Sequence, residues 1–157
     1  MKIVLLQTGK TAEKYISDGV ADYSARIGRM TNFEIFTVPD LKNTGKMPPA
    51  EQVLREGRAI LSFIRSDDYV VLLDRKGKDV DTMGFAGKLQ KFLQMPNKRL
   101  LFLIGGPWGV SDEVYRRANF ILSLSKMTFS HQMVRLLFME QLYRVLTIIK
   151  GIPYHHE

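Results

Sequence analysis

The chain has 157 residues, of which 45% are hydrophobic and none is cysteine. This length and composition are typical of one domain spanning residues 1–157, and they exclude a disulfide scaffold and a thiolate zinc site. The formal charge of +7 fits a nucleic-acid partner and a merely basic surface equally well.

The N-terminal apolar run is too short for a secretion signal, and no segment approaches membrane-spanning length. We therefore expect a soluble, cytoplasmic protein with no membrane contact.

Segments that favour strands alternate with segments that favour helices along the whole chain. Strands are predicted at 2–8, 32–38, 68–74, 99–105 and 120–125. Helices are predicted at 11–30 with Thr11 as its cap, 50–65, 82–95, 112–118 and 131–150, and the lysine-containing segment 39–49 is predicted to be a surface loop. This alternation predicts an α/β fold, with a mainly parallel sheet flanked by helices.

The last predicted helix, 131–150, is apolar around well over half of its circumference. One contact with a sheet cannot bury so wide a face. Two explanations stay open: the helix forms part of a homodimer interface, which we favour, or it is a central core helix inside one subunit.

Three strand ends are candidate ligand sites, because ligands of such sheets lie at the carboxyl ends of the strands. They are the segments 72–78, 104–109 and 122–131. The middle one contains Gly105, Gly106 and Gly109, whose spacing fits neither the dinucleotide fingerprint nor the P-loop. Ser111 is predicted to cap the next helix, and the acids that follow it disfavour a phosphate. A ligand without phosphate, or one with positive charge, suits this turn better.

Trp108, the only tryptophan, lies in the same turn. Its ring could stack on a base or an adenine, or it could cover apolar surface of the protein, and the covering role is favoured.

Four ordered motifs carry a resemblance to a known family: "LLDRKGK", "LIGGPWGVS", "LSLSKMTFSHQMVR" and the terminal "EQLYR" with "YHHE". Over essentially its whole length the chain resembles the RlmH type of ribosomal RNA large-subunit methyltransferase, a branch of the SPOUT superfamily. The resemblance implies a C-terminal deep trefoil knot and a homodimer that binds no metal. It also implies methyl transfer from S-adenosyl-L-methionine to N3 of a pseudouridine in a 23S rRNA stem-loop of the assembled ribosome.

The resemblance also assigns residues to the site. The cofactor-binding positions that match the family are Leu73, Gly105, Leu124, Ser125, Lys126, Met127, Thr128 and Phe129. Candidates for removing the N3 proton or stabilising the resulting anion are His131, Arg135, Arg144, Tyr154, His155 and His156.

Among these candidates the resemblance favours Tyr154 and His155, with His155 as the proton acceptor, in a tail that folds over the partner's active site. Structural roles compete for two others. Arg144 is spaced for a helix ion pair with Glu140, and His131 stands at a helix start where it could simply cap. At position 156 the family often carries a basic residue, so His156 weakens any phosphate contact there.

Three other functions are considered. The chain could be a superfamily methyltransferase that acts on tRNA, or a non-enzymatic ribosome-binding or assembly factor. The third, a doubly wound nucleotide-binding protein, is disfavoured by the missing phosphate fingerprint.

Overall fold

The structure is a computed structural model, and it describes residues 1–156. Its strands are β1 (Lys2–Thr8), β2 (Phe33–Val38), β3 (Asp68–Asp79), β4 (Arg99–Ile104) and β5 (Phe120–Ser123). Its helices are α1 (Lys14–Gly28), α2 (Pro49–Phe63), α3 (Thr82–Leu93), α4 (Asp112–Arg117) and α5 (Met133–Lys150), with a short 3₁₀ turn at Thr44–Lys46. The five strands form one sheet in the order β2-β1-β4-β3-β5, and every pairing is parallel. The predicted α/β class and parallel sheet are confirmed.

Both faces of the sheet are covered, which explains why its strands read as nearly continuous apolar runs. In β1, Ile3 and Leu5 belong to the core on one face, whereas Val4 and Leu6 belong to the core on the other. Helices α1, α3 and α5 pack on the first face and α2 and α4 on the second. The sheet is therefore the middle layer of three.

The register of the strands brings their carboxyl ends together. Leu73 of β3 lies opposite Ile104 of β4 and, on its other side, opposite Leu122 of β5. Just beyond these residues β4 and β5 end, and β3 passes through an irregularity before it pairs with β5 again, so the three irregular segments lie side by side. This is the place where the sequence predicts a ligand.

Helix α5 is a central helix of its layer, and it packs against both α1 and α3. Its buried residues include Phe138, Leu142 and Leu146, together with the wholly buried Arg135. The sheet and two flanking helices therefore account for much of its apolar circumference within one chain. The wide apolar surface of α5 is therefore not by itself evidence for a dimer interface.

Two local predictions differ from the structure. Thr11 does not cap α1, because the helix begins at Lys14 after the N-cap Glu13, and the Thr11 hydroxyl accepts a hydrogen bond from Arg135 at 2.8 Å. Strand β3 continues past Asp74 to Asp79, because it resumes pairing with β5 after an irregularity. Ser111 is confirmed as a cap, since its Oγ accepts from the Val114 N–H at 3.3 Å.

Within residues 1–156, no helix is long and apolar enough to cross a membrane. The trefoil knot implied by the resemblance stays a prediction.

Candidate functional site

A cleft of about 590 Å³ opens at the carboxyl ends of β3, β4 and β5. Its walls are the middle of β3 around its irregularity, the glycine turn after β4, and the segment between β5 and α5. The three strand ends singled out in the sequence therefore form one site. A volume of this size lies in the range that accommodates a cofactor or drug-sized ligand.

The glycine turn forms one wall and has little room for side chains. A Cβ added at Gly105 would lie 2.5 Å from Cγ1 of Val110, and one added at Gly106 would lie 2.6 Å from Oε2 of Glu56. The turn closes through a hydrogen bond from the Gly109 N–H to the Gly106 carbonyl at 3.1 Å, with φ of +85° at Gly109. Glycine is therefore favoured at Gly105 by close approach to Val110 and at Gly109 by backbone conformation, whereas the Glu56 side chain could move to admit a Cβ at Gly106.

The irregular part of β3 that begins at Asp74 forms the second wall, and Asp74 fixes its shape. One carboxylate oxygen of Asp74 accepts from the Lys76 N–H at 2.8 Å, and the other accepts a short hydrogen bond from the Tyr115 hydroxyl of α4. Burial of Tyr115 and this bond to Asp74 raise the pKa of Tyr115 to about 12. The tyrosine therefore stays protonated and keeps the β3 end joined to α4.

The segment after β5 forms the third wall, and serine side chains hold its backbone. Ser123 donates to the Ser125 carbonyl at 2.9 Å, and Ser125 accepts from the Met127 N–H at 3.0 Å. In turns of this kind a serine hydroxyl bonds a nearby backbone group, in place of the backbone hydrogen bonds of a regular strand. They leave the side chain of Met127 73% exposed at the rim.

Most of the predicted cofactor residues line this cleft: Leu73, Gly105, Leu124, Ser125, Met127, Thr128 and Phe129. Lys126 does not line it. Its side chain is 86% exposed and its ammonium lies 3.6 Å from the carboxylate of Asp79.

His131 is the one proposed catalytic residue that lines the cleft. Burial and the charge of Arg135 lower the pKa of His131, although Asp40 opposes them. Its imidazole is therefore neutral at pH 7 and can accept a proton. The N-cap of α5 is Gln132, so His131 does not fill that position.

Arg135 has a structural role in this chain. Its guanidinium is buried and donates to the Thr8 carbonyl at 2.6 Å and to the Thr11 hydroxyl. Burial lowers the pKa of Arg135. These bonds tie the loop after β1 to the start of α5.

Arg144, Tyr154 and His155 form a separate cluster on the second half of α5 and the tail, and none of them lines the cleft. Arg144 Nε donates to Glu140 Oε1 at 2.9 Å, so the predicted ion pair exists, and its Nη1 lies 3.1 Å from His155 Nδ1. Because a guanidinium can only donate, Nδ1 is the acceptor in that contact.

Tyr154 completes the cluster. Its hydroxyl lies 3.3 Å from Glu140 Oε1 and 3.4 Å from the Tyr23 hydroxyl, and its ring meets that of Tyr143 edge to face. The hydrogen bond with Tyr23 and burial raise the pKa of Tyr154. The tail therefore packs against α1 and α5 through Tyr154 and His155. His156 itself is exposed.

Sequence reasoning missed two cleft residues that fix its shape. Asp74 stands in the quoted "LLDRKGK" motif, and its position directly after an apolar run could have indicated it. Tyr115 has no sequence signal, because it reaches Asp74 only through the fold. Among the described residues no three His, Asp or Glu side chains are grouped closely enough to hold a metal ion.

An α/β fold of three layers with a cleft at the strand ends is the arrangement in which open parallel sheets bind their ligands. A family model described as "Predicted SPOUT methyltransferase" matches residues 1–155. The chain therefore belongs to the SPOUT methyltransferase family.

Two relatives match over essentially their whole lengths, and both are named ribosomal RNA large subunit methyltransferase H. The protein from Bacteroides thetaiotaomicron is 45% identical over 157 residues, which is 100% of both chains. The protein from Christiangramia forsetii is 49% identical over 156 residues, which is 99% of both chains.

Among solved structures, the tRNA (m1G37) methyltransferase from Aquifex aeolicus superposes with a TM-score of 0.56. The match covers 100% of this chain and 76% of that one, at 15% sequence identity. Similarity at this level concerns the fold alone.

Proposed function

We propose that this protein is an S-adenosyl-L-methionine-dependent methyltransferase that methylates N3 of a pseudouridine in 23S ribosomal RNA. The observation that carries the proposal is the 45–49% identity, along the entire chain, to relatives named as large-subunit rRNA methyltransferases. The pseudouridine and the N3 position rest on the motif resemblance. Because its substrate would be ribosomal RNA, the protein would act in the cytoplasm. We also propose that residues 1–157 form one domain.

The residues of the cleft fit S-adenosylmethionine. Leu73 and Leu124 provide apolar walls for an adenine, with Met127 at the rim, and the glycine turn exposes main chain to a ligand. Asp74 and Asp112 line the cleft together with Arg75 and Lys76, so the acids offer a place for the positive charge of the cofactor while the basic residues offset them in the lining as a whole. When bound, this cofactor supplies a methyl group on a positively charged sulfur.

The protein would contribute mainly orientation and a proton acceptor. The irregular part of β3 and the turns after β4 and β5 would hold the reacting groups in line, an effect that can supply several kcal/mol of the barrier. The weakly acidic N3 proton has two candidate acceptors, His131 of the cleft and His155 of the tail. His155 would have to give up the hydrogen bond from Arg144 to its Nδ1 before that nitrogen could take the proton.

The two histidines can be distinguished by their effects on rate. If His155 accepts the proton, His155→Ala lowers kcat by roughly a hundredfold or more, whereas His131→Ala changes it little. The measurement is single-turnover methylation of ribosomes at saturating cofactor, over a range of pH. The reverse ranking would assign the proton acceptor to His131.

We further propose a homodimer in which the tail of one subunit closes the cleft of the other. Arg144, Tyr154 and His155 are assembled into one cluster that does not line the cleft of their own chain. A partner subunit would bring this cluster to the cleft.

The test of the proposed function uses ribosomes from a strain that lacks the gene. We expect calorimetry to detect S-adenosylmethionine binding, and mass spectrometry of 23S rRNA fragments to detect a new methyl group after incubation with the protein. An unchanged 23S rRNA would overturn the proposal. Methylation of bulk tRNA instead would support the tRNA enzyme, and ribosome binding without cofactor binding would support an assembly factor.

A further inference from the structure

Trp108 stands at the tip of the glycine turn and is 56% exposed while it lines the cleft. A tryptophan that mainly covered apolar surface of its own chain would be more deeply buried. The covering role favoured in the sequence therefore does not describe this ring.

The turn presents the ring on a fixed support. The hydrogen bond between Gly109 and Gly106 closes the turn, Pro107 restricts its backbone, and a Cβ at Gly105 would meet Val110 at 2.5 Å. The backbone that carries this large aromatic surface is thus already held in place at the cleft before binding.

The rest of the rim has the composition of a surface that binds unpaired nucleotides. Met127 and Phe129 line the same cleft and are 73% and 40% exposed. Arg75 and Lys76 line the same cleft from the β3 side. Aromatic surfaces take stacked bases, and nearby cations neutralise the phosphates that connect them.

We propose that Trp108 stacks on an unpaired base of the ribosomal RNA next to the methylated nucleotide, and so determines affinity for the RNA. The inference rests on the proposed function, because it takes the substrate to be RNA. It places the base at the rim, outside the cofactor walls formed by Leu73 and Leu124. Arg75 and Lys76 would lie beside the phosphates of the same strand.

The test compares Trp108→Ala, Trp108→Leu and Trp108→Phe. Because removal of one stacked base partner weakens single-strand binding roughly 5- to 100-fold, we expect the Ala variant to raise the KM for ribosomes by a factor in that range. kcat should change little. The Phe variant should retain most of the affinity, and the Leu variant should resemble Ala, since stacking needs a flat aromatic ring.

Two controls distinguish stacking from other uses of the ring. Calorimetry with S-adenosylmethionine and sedimentation of the free protein should be the same for all variants. A weaker cofactor affinity in the Ala variant would mean that Trp108 covers the adenine, and a changed oligomeric state would mean that it contacts a partner subunit. Each of these two results would overturn the proposal. So would an unchanged KM in the Ala variant, or a Leu variant with the KM of the parent.

Failure of the proposed function can be recognised separately. Cosedimentation of the variants with ribosomes measures binding whether or not a methyl group is transferred. If the parent protein binds ribosomes but methylates no RNA, the proposed activity fails, and the ranking of the Trp108 variants in cosedimentation still decides the stacking proposal. If the parent does not bind ribosomes, both fail.

Because Trp108 is the only tryptophan, its fluorescence reports on this site alone. Protein-free 23S rRNA contains no tryptophan and serves as the probe. We expect RNA to quench the emission and S-adenosylmethionine to leave it unchanged. Quenching by the cofactor alone would contradict the assignment.

Discussion

At the scale of single residues, the glycine turn shows how close packing fixes residue type. The nearest atom to a Cβ at Gly105 belongs to Val110, a β-branched side chain with few alternative rotamers. Added volume at this point must displace the turn itself, and with it one wall of the cleft.

We predict that Gly105→Ala lowers the free energy of unfolding by about 1–3 kcal/mol, because overpacking forces a backbone shift. It should also weaken S-adenosylmethionine binding. The matched control is Gly87→Ala in α3, where an added Cβ meets nothing within 4 Å and should stabilise the helix by about 0.5–1 kcal/mol. Denaturant unfolding and calorimetry measure both effects, and equal cofactor affinity in the two variants would contradict the prediction.

At the scale of single residues, Glu56 makes the free energy of unfolding depend on pH. Burial, with a smaller contribution from Asp40, raises the pKa of Glu56. A raised pKa in the folded state means that this group favours folding below its unfolded pKa of about 4.3 and loses that contribution as the pH rises through the folded pKa.

We therefore expect Glu56→Gln to raise the melting temperature at pH 7.5, where the parent carries a partly buried carboxylate. The gain should shrink toward pH 4.5. Thermal unfolding at the two pH values checks this, and a larger gain at the lower pH would show that the sign is wrong.

At the scale of elements, a buried ion pair joins the beginnings of β3 and β4. Asp68 and Arg99 are 2% and 6% exposed, and Arg99 Nε donates to Asp68 Oδ1 at 2.7 Å. Burial of Asp68 opposes ionisation, but the hydrogen bonds from Arg99 and from the Arg65 N–H outweigh it and lower the pKa of Asp68.

Because removal of one partner leaves a buried charge unpaired, Asp68→Asn should cost about 3–5 kcal/mol of unfolding free energy at pH 7. The difference from the parent should shrink as the pH falls through the lowered pKa of Asp68, where the parent loses the same charge. Asp18→Asn is the control, since its exposed pair with Lys14 on α1 contributes no more than about 0.5 kcal/mol. Equal losses for the two variants would contradict this reasoning.

At the scale of the whole molecule, the separation between the tail cluster and the cleft gives the dimer a direct test. Two differently tagged variants, Gly105→Ala and the double variant Tyr154→Ala with His155→Ala, are coexpressed and the heterodimer is purified through both tags. One of its two composite sites contains neither defect, so we expect about half of the parent's activity. If the activity is no higher than the mean of the Gly105→Ala homodimer and the tail-variant homodimer, each tail serves the cleft of its own subunit.

The sequence allowed the layer architecture to be predicted because burial on both sheet faces leaves long apolar runs, and helices between them keep a helical period. The same reasoning located the cleft, since ligand sites in such folds lie at strand ends. It was wrong about Thr11, because a local capping preference of about 1 kcal/mol was overridden by the hydrogen bond with Arg135.

What the sequence by itself determined is the set of segments: which runs become strands, where the glycines interrupt them, and which family the motifs resemble. Only the tertiary structure decided which distant residues meet. Tyr115 reaches Asp74 across 41 positions, and Arg135 reaches Thr8 across 127. The physical reason is that periodicity records how one segment is buried, whereas contacts between segments depend on strand order and register, which leave no local pattern. The exposure of Trp108 at the mouth of the cleft is of this second kind.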